Sequence, residues 1–364
     1  MTLKTIVNFI ESKFPLALQE PYDNCGLTYG HPDAEIDGIL VCLDVTEEVV
    51  AEAIQKKCNL IISHHPVIFQ GLKNMTGKSM NQRVIESCIQ KKIYLYALHT
   101  NLDNHYKGVN YQIANKIGLK NLKPLAPKKD TLMKLVVYVP EAQKENIDHA
   151  LFQEGAGSIG NYSECSFNVK GKGSFTPNIE ASPSFGEHEK NQSIDEIRAE
   201  YLVRHTDLKS VLNAMWKHHP YEEVAHDIVP IKNTNPEIGS GMMGEMNIAM
   251  DELDFLKKIK SDFGLSILRH SEFLKKPIKN VAICGGSGAF LLGSAKKSKA
   301  DVFITSDFKY HEFFDAENQI LILDIGHWES EQFTSILIRD FLNEKFSNFA
   351  IHLTEVNTNP VNYF

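Results

Sequence analysis

Histidine and carboxylate side chains recur in this sequence directly after short apolar runs. Three pairs follow three such runs: His64 with His65 after residues 59–62, His99 with Asp103 after residues 94–98, and His327 with Glu331 after residues 320–323. Neutral imidazoles and carboxylates are the ligands that borderline and harder divalent cations use in proteins. The pattern therefore predicts a metal centre built from groups that lie far apart in the sequence.

The spacing of these residues favours two metal ions over one. Adjacent side chains point in different directions, so His64 and His65 serve two ions more readily than one. If the chain turns into a helix after Gly326, then His327 and Glu331, four residues apart, share one helix face. We expect a two-metal site with a bridging carboxylate, and its candidate ligands are His64, His65, Asp103, His327 and Glu331. Zinc, iron and manganese all suit this ligand set.

Other polar residues near the strand ends have more than one interpretation. His99 either transfers a proton or has a structural role. Asp307 and His311 could be metal ligands, but the favoured interpretation is that they support the site or contact a substrate. The glycine-rich run after a further strand either cradles a phosphate at a helix start or is a packing turn. That run consists of Gly285, Gly286, Ser287 and Gly288. A second His-His-Pro string at 218–220 follows a helix, so a turn or a subunit contact is its default interpretation.

The elements that must position these residues alternate between strands and helices, which predicts an α/β fold with largely parallel sheets. Ligand sites in such sheets collect at the carboxyl ends of the strands. We predict two similar α/β halves, residues 1–127 and 236–364, that face each other and form the metal-binding core. Proline-rich and glycine-rich boundaries enclose an insert at 128–235 with two β-α-β units, which indicates a ferredoxin-like α+β domain. Residues 172–194 are expected to form a long exposed loop.

Composition narrows the class of protein. The chain has 364 residues and a formal charge of −8, without a basic block, which argues against a nucleic-acid surface. Its six cysteines are scattered, with no Cys-x-x-Cys pair, which is typical of reduced cytosolic residues. No stretch reaches the roughly 18 apolar residues of a membrane span, and no signal peptide is evident. We expect a cytoplasmic protein whose partner is a small molecule.

The motifs resemble a known family, the GTP cyclohydrolase 1 type 2 homologues, also called Nif-three-like. The resemblance rests on segments spread from end to end: residues 23–27, 43–46, 63–66, 99–103, 285–288, 305–307, 310–311 and 326–331. It implies that His65 and Asp103 hold one metal, that His64 and His327 hold the other, and that Glu331 bridges them. It also implies a homohexamer and an insert similar to PII-like or CutA-like domains. The chain departs from the family pattern at Tyr22 and Ser306, neither of which is a candidate ligand.

Three functions remain open at this point. The family name points to a dinuclear-metal hydrolase that opens the guanine ring of GTP and releases formate, with His99 as the proton-transfer group. The same ligands would suit a metal-dependent phosphoesterase or amidohydrolase. A non-enzymatic metal-handling or regulatory protein is the second hypothesis, and a structural scaffold with hydrogen-bonded histidines is the third.

Overall fold

Two stretches that are distant in sequence fold together, while the stretch between them folds separately. The computed structural model describes all residues 1–364. One compact unit contains Met1–Pro127 and Glu237–Phe364, and the other contains Lys128–Pro236. The α-helices are α1 (Leu3–Lys13), α2 (Glu47–Gln55), α3 (Met80–Lys91), α4 (Thr100–Asp103), α5 (Val109–Ile117), α6 (Lys144–Gln153), α7 (Leu208–His218), α8 (Glu252–Phe263), α9 (Leu292–Lys297), α10 (His327–Glu331) and α11 (Thr334–Lys345).

The strands build three sheets, two in the first unit and one in the second. They are β1 (Gly26–Tyr29), β2 (Ile39–Cys42), β3 (Leu60–Ser63), β4 (Tyr94–Ala97), β5 (Lys120–Pro127), β6 (Leu132–Pro140), β7 (Ser166–Phe175), β8 (Gln192–Arg204), β9 (His226–Ile231), β10 (Gly239–Met250), β11 (Arg269–His270), β12 (Ile278–Ser287), β13 (Val302–Ser306), β14 (Leu321–Asp324) and β15 (Ile351–Leu353). The alternation of strands and helices confirms the predicted mixed α/β class.

The first unit contains a five-stranded and a six-stranded sheet. The five-stranded sheet has the order β1-β4-β3-β2-β15, and all its pairs except β1 with β4 are parallel. The six-stranded sheet has the order β11-β14-β13-β12-β10-β5, with a parallel centre formed by β12, β13 and β14. The carboxyl ends of the parallel strands are therefore available at one edge of each sheet.

One apolar cluster joins these two sheets. Alternate side chains of a strand point to opposite faces of its sheet. Ile39 and Val41 of β2 accordingly enter this cluster, whereas Leu40 and Cys42 pack against the helices of the outer face. Inward-facing residues of β13 and β14 enter the same cluster, together with side chains of α1, α5, α8 and α11. The shared core fixes both sheets in one unit.

No helix combines the length and the apolar content needed to cross a bilayer.

The two stretches of the first unit exchange edge strands. Strand β15, near the end of the chain, pairs with β2, and β5, from the first stretch, pairs with β10. Pro124 and Pro127 both lie in β5, and this strand ends where the first stretch of the unit ends. Proline lacks the N–H donor, yet it is tolerated on an edge strand, and β5 is the edge of its sheet.

The second unit has a four-stranded sheet of order β7-β8-β6-β9 in which every pair is antiparallel. Its elements follow the order strand, helix, strand, strand, helix, strand. The expected exposed loop over 172–194 is too long, because β7 extends to Phe175 and β8 begins at Gln192. A strand over about 197–204 is predicted from the sequence and lies within β8, whereas glycines and charged residues concealed β7 and the start of β8.

Candidate metal centre

The candidate ligands lie at the carboxyl ends of strands from both sheets of the first unit. His64 and His65 follow β3, His99 follows β4, and His327 begins α10 after β14. His65, His99 and His327 border a cavity of about 920 Å³ whose walls come from the first unit alone, whereas His64 is buried and does not line it. The parallel strands therefore deliver these groups to one place, as their position after apolar runs predicted.

Each of the four histidines uses Nδ1 for a hydrogen bond inside the protein. His64 Nδ1 lies 2.7 Å from the carbonyl oxygen of Leu98, which can only accept, so this nitrogen carries the proton. The other three Nδ1 atoms face carboxylates: His65 at 2.7 Å from Asp44, His99 at 2.8 Å from Asp23, and His327 at 2.6 Å from Asp307. Such partners fix the ring orientation of metal-binding histidines and leave Nε2 as the donor atom.

The Glu331 carboxylate lies between two groups of donor atoms. Its Oε2 lies 3.1 Å from Nε2 of His65 and 3.1 Å from Nε2 of His327. Its Oε1 lies 3.7 Å from Nε2 of His64, and Oδ1 of Asp103 lies 3.7 Å from the same nitrogen. Within each group the donor atoms lie within 4.8 Å of one another, so each could hold a metal ion. One carboxylate thus has an oxygen in each group.

This grouping differs from the pairing that the family resemblance implies. The resemblance pairs His65 with Asp103 and His64 with His327, whereas the donor atoms group His64 with Asp103 and His65 with His327. The hydrogen bonds of the two adjacent rings explain the difference. The Leu98 carbonyl directs His64 towards the segment after β4, which carries Asp103, and the Asp44 carboxylate holds His65 on the other side.

Two buried polar atoms of the group formed by His64, Asp103 and Glu331 have no hydrogen-bond partner. They are Nε2 of His64, whose residue is 0% exposed, and Oδ1 of Asp103. A buried polar atom without a partner costs about 1–3 kcal/mol, and a bound cation would satisfy both atoms at once. Burial lowers the pKa of His64, which keeps the imidazole neutral as a ligand must be. The residues therefore fit a divalent cation.

The charges around the other group, formed by His65, His327 and Glu331, also favour positive charge. Although burial opposes it, contacts with the Asp44 and Glu331 carboxylates raise the pKa of His65 to about 10. Burial likewise opposes the shift at His327, yet contacts with Asp307 and Glu331 raise its pKa to about 11. Against burial, contacts with His327 and His64 hold the pKa of Glu331 well below its usual value. These carboxylates therefore favour positive charge here, and a cation that binds His65 and His327 would displace their protons.

Burial and then the negative charge of Glu331 raise the pKa of Asp103 well above its usual value. Two carboxylates cannot both ionise at low cost in one buried site unless positive charge is supplied between them. This repulsion between Asp103 and Glu331 is a second reason why the group of His64, Asp103 and Glu331 fits a cation.

His99 forms a third set of close donor atoms with His64 and His65, but it belongs to neither group that contains Glu331. Its ring centroid lies 5.3 Å from that of His64 and 5.4 Å from that of His65. Asp23, which bonds Nδ1 of His99, also accepts the backbone N–H of Thr100 at 3.0 Å. His99 is therefore held in place with Nε2 available for proton transfer, one of the two roles considered for it.

The glycine-rich run contacts the carboxylate ligand instead of exposing its first N–H groups to the cavity. The N–H of Gly285 donates to Oδ1 of Asn110 at 2.9 Å, and that of Gly286 donates to Oγ of Ser330 at 2.9 Å. A Cβ on Gly286, at a φ of 63°, would lie 2.3 Å from Oε1 of Glu331. These contacts favour the packing interpretation of the run over a phosphate cradle formed by Gly285, Gly286, Ser287 and Gly288.

Two further candidates lie outside the metal groups. His311 stacks near Phe314 in a 3₁₀ segment and does not line the cavity. His219 of the second unit has both ring nitrogens in use, with Nε2 at 3.1 Å from the Tyr138 carbonyl and Nδ1 accepting the N–H of Tyr221 at 3.2 Å. A structural role in a turn, the default interpretation, accounts for these contacts.

A sequence model of the Duf34/NIF3 (NGG1p interacting factor 3) family matches residues 1–360. The chain belongs to the DUF34/NIF3 family. A relative from Staphylococcus epidermidis named GTP cyclohydrolase 1 type 2 homolog is 35% identical over 368 residues and is covered, like this chain, over 100% of its length. A Bacillus subtilis relative with the same name is 37% identical over 363 residues, which is 98% of this chain and 97% of that one.

Solved structures agree with this assignment. A Bacillus cereus protein related to NIF3 is 35% identical and superposes with a TM-score of 0.89 over 100% of this chain and 99% of its own. A Staphylococcus aureus protein is 30% identical, with a TM-score of 0.79 over 100% of this chain and 99% of that chain. The resemblance to GTP cyclohydrolase 1 type 2 homologues is thus confirmed at the level of the family.

The sequence motifs named Asp307, which faces His327, as a residue that supports the site, but gave no such role to Asp44 and Asp23, which orient His65 and His99. Asp44 follows β2 just as His64 follows β3, so the strand-end pattern that found the histidines could have found it. Asp23 precedes the short edge strand β1 and gives no such signal. Its contact with His99 spans 76 residues and depends on the folded structure.

Proposed function

We propose that this protein is a hydrolase that uses two divalent cations. The position of Glu331 carries the proposal, because one oxygen faces His64 and the other faces His65 and His327 at the wall of a large cavity. His64, Asp103 and Glu331 would hold one ion, and His65, His327 and Glu331 would hold the other. Cations bound there would lower the pKa of a water and polarise the group under attack.

The residues of the chain supply the remaining parts of a hydrolytic site. His99, with Nδ1 held by Asp23, would accept a proton at Nε2 and return it to the leaving group. Three protein donors to each ion leave coordination positions open, as a catalytic site requires. A structural site would instead be closed by protein ligands.

We propose a nucleotide, with GTP as the first candidate, as the substrate. The relatives named above carry GTP cyclohydrolase in their names, and a cavity of about 920 Å³ is within the usual size range for ligand sites. The exposed rings of Tyr22 and Phe69, with centroids 6.2 Å apart at the cavity, offer apolar surface for a base. Addition of one water at C8 would open the ring, and a second water would release formate.

The phosphates of such a substrate would find few basic groups in this cavity. Arg269 is the single arginine or lysine in its wall, and Arg269 pairs with Asp324. The cations themselves would therefore neutralise most of the phosphate charge, which also keeps a phosphoesterase as an alternative. A non-enzymatic metal-handling or regulatory role is the other alternative.

We also propose a ferredoxin-like plan for the second unit, similar to PII-like or CutA-like domains. Its strand–helix–strand–strand–helix–strand order and its sheet order β7-β8-β6-β9 support this plan. The homohexamer stays a prediction, and light scattering of the purified protein tests it directly.

The experiment that tests the proposed function measures formate and phosphate release from GTP by protein loaded with Zn²⁺, Fe²⁺ or Mn²⁺. Glu331→Gln removes the proposed bridge, and Glu344→Gln is the matched control, because Glu344 is exposed on α11 and does not line the cavity. We expect formate release by the wild type and the control but not by Glu331→Gln. Phosphate release alone would indicate a phosphoesterase. No release while two ions are bound would contradict the hydrolase proposal and support a metal-handling role.

A further inference from the structure

The C-terminal segment, residues 354–364, runs along the wall of the metal cavity. It leaves β15 with the N–H of Thr354 donating to the carbonyl of Val41 at 2.9 Å. Four of its residues then line the cavity: Asn359, Pro360, Val361 and Tyr363. The segment is therefore part of the site although no ligand candidate lies in it.

Thr358 connects this segment to one of the candidate ligands. Its hydroxyl donates to Oδ2 of Asp44 at 2.8 Å, and Oδ1 of the same carboxylate accepts Nδ1–H of His65 at 2.7 Å. A carboxylate held at both oxygens cannot rotate freely, so the imidazole that it orients also keeps one direction. The link spans 314 residues of sequence and exists only in the folded chain.

The other donor group has no comparable link. His64 is oriented by the backbone carbonyl of Leu98, which needs no further support. The other side chains of the segment bond groups that are not candidate ligands: Thr354 bonds Glu52, Glu355 pairs with Lys56, and Nδ2 of Asn359 donates to Oε1 of Glu329 at 3.0 Å. Thr358 is therefore the residue of the segment that bonds a carboxylate next to a candidate ligand.

We propose that Thr358 is a positioning residue for the metal ion held by His65, His327 and Glu331, and that it acts through Asp44. The proposal rests on the two-metal site proposed above. Loss of the hydroxyl leaves Asp44 free to turn away from His65, which weakens binding at this position alone. The ion held by His64, Asp103 and Glu331 keeps its affinity.

Competition between the protein and a chromophoric chelator for Zn²⁺ measures the two affinities separately. Thr358→Val keeps the shape of the half-buried side chain and removes the donor, and Thr358→Ser restores the donor. Thr354→Val is the matched control, because the Thr354 hydroxyl also donates to a carboxylate, that of Glu52, which touches no histidine. We expect Thr358→Val to lower the affinity for one Zn²⁺ ion about tenfold. This is the low end of the usual effect of removing a group that is hydrogen-bonded to a metal ligand. Thr358→Ser and Thr354→Val should keep both wild-type affinities.

Two single-site backgrounds identify the affected position. In Asp103→Asn, the remaining tight ion is that of His65 and His327, and adding Thr358→Val should weaken it. In His327→Ala, the remaining ion is that of His64 and Asp103, and the same change should have no effect. Thermal unfolding of each metal-free variant checks that the fold is intact, and Thr358→Ala replaces the valine variant if that variant does not fold.

Several results would overturn the proposal. Unchanged Zn²⁺ affinities in Thr358→Val, equal weakening of both ions, or an equal effect of Thr354→Val would each show that Thr358 does not position His65. Wild-type protein that binds fewer than two ions would overturn the two-metal site itself. The two failures are thus distinguished by the wild-type titration.

Discussion

At the scale of single residues, the geometry of the candidate metal centre depends on the group that is hydrogen-bonded to Nδ1 of each histidine. Nδ1 of His64 bonds a carbonyl, and Nδ1 of His65, His99 and His327 faces a carboxylate. Residue type and position after an apolar run were enough to predict the histidines themselves. The ring orientations were not predictable, since they depend on groups from other strands that only the folded chain brings close.

Gly286 provides a test of the space that Glu331 occupies. Alanine at this position would place Cβ at 2.3 Å from Oε1 of Glu331 and would adopt an unfavourable φ of 63°. We expect Gly286→Ala to displace the carboxylate and to weaken Zn²⁺ binding by at least about tenfold, as measured by chelator competition.

The control for this change is Gly293→Ala in α9, where an added Cβ meets nothing within 4 Å. Alanine favours a helix by up to about 1 kcal/mol over glycine, so this variant should bind Zn²⁺ normally and unfold no earlier than the wild type. Normal Zn²⁺ binding by Gly286→Ala would show that Glu331 does not need its present position.

His99 is predicted to act in proton transfer and not in metal retention. We expect His99→Gln to keep two ions but to release formate from GTP about 10²–10⁴-fold more slowly, because general acid–base groups contribute rates of this size. His311→Gln is the control, since His311 does not line the cavity. Loss of an ion from His99→Gln would reassign His99 to metal binding.

At the scale of elements, apolar runs identified the strands that deliver the ligands. Strands β3 and β14 are fully buried, so their sequences are continuous apolar runs that end where the polar site begins. Strands β5 and β10 escaped prediction because prolines, glycines and charges interrupt them. The pairing of β5 and β15 with strands of the other stretch was also not predicted, because the sequence of a strand does not indicate which distant strand it pairs with.

The Glu52 carboxylate anchors the chain that follows β15. It accepts the N–H of Glu355 at 2.9 Å, pairs with Lys56 at 2.8 Å and accepts the hydroxyl of Thr354. Burial opposes the shift, but these three contacts lower the pKa of Glu52 below its ordinary value of 4.5. A depressed folded-state pKa stabilises the protein above the unfolded value, and this stability is lost as the pH falls through the folded value.

We therefore expect Glu52→Gln to lower the free energy of unfolding at pH 7 by about 1–3 kcal/mol, the usual worth of hydrogen bonds to a charged group. The difference from wild type should shrink below pH 4.5, as measured by urea unfolding across the pH range. Glu48→Gln, on the exposed side of the same helix, serves as the control. A difference that stays constant with pH would contradict the anchoring role of the ionised carboxylate.

At the scale of the whole molecule, the site exists because two sheets share one core within the first unit. Each sheet alone presents only part of the ligand set: His64, His65 and Asp103 come from the five-stranded sheet, and His327 with Glu331 comes from the six-stranded sheet. Membership of the DUF34/NIF3 family covers both stretches. The sequence motifs predicted this family, whereas the function of the second unit stays a prediction.

The metal content of purified protein after dialysis tests the central claim most directly. Elemental analysis of the wild type, of Glu331→Gln and of the control Glu344→Gln should find two ions per chain in the wild type and in the control. Glu331→Gln should retain fewer, because both donor groups lose a carboxylate oxygen. Two ions in Glu331→Gln, or none in the wild type after loading, would contradict a two-metal centre bridged by Glu331.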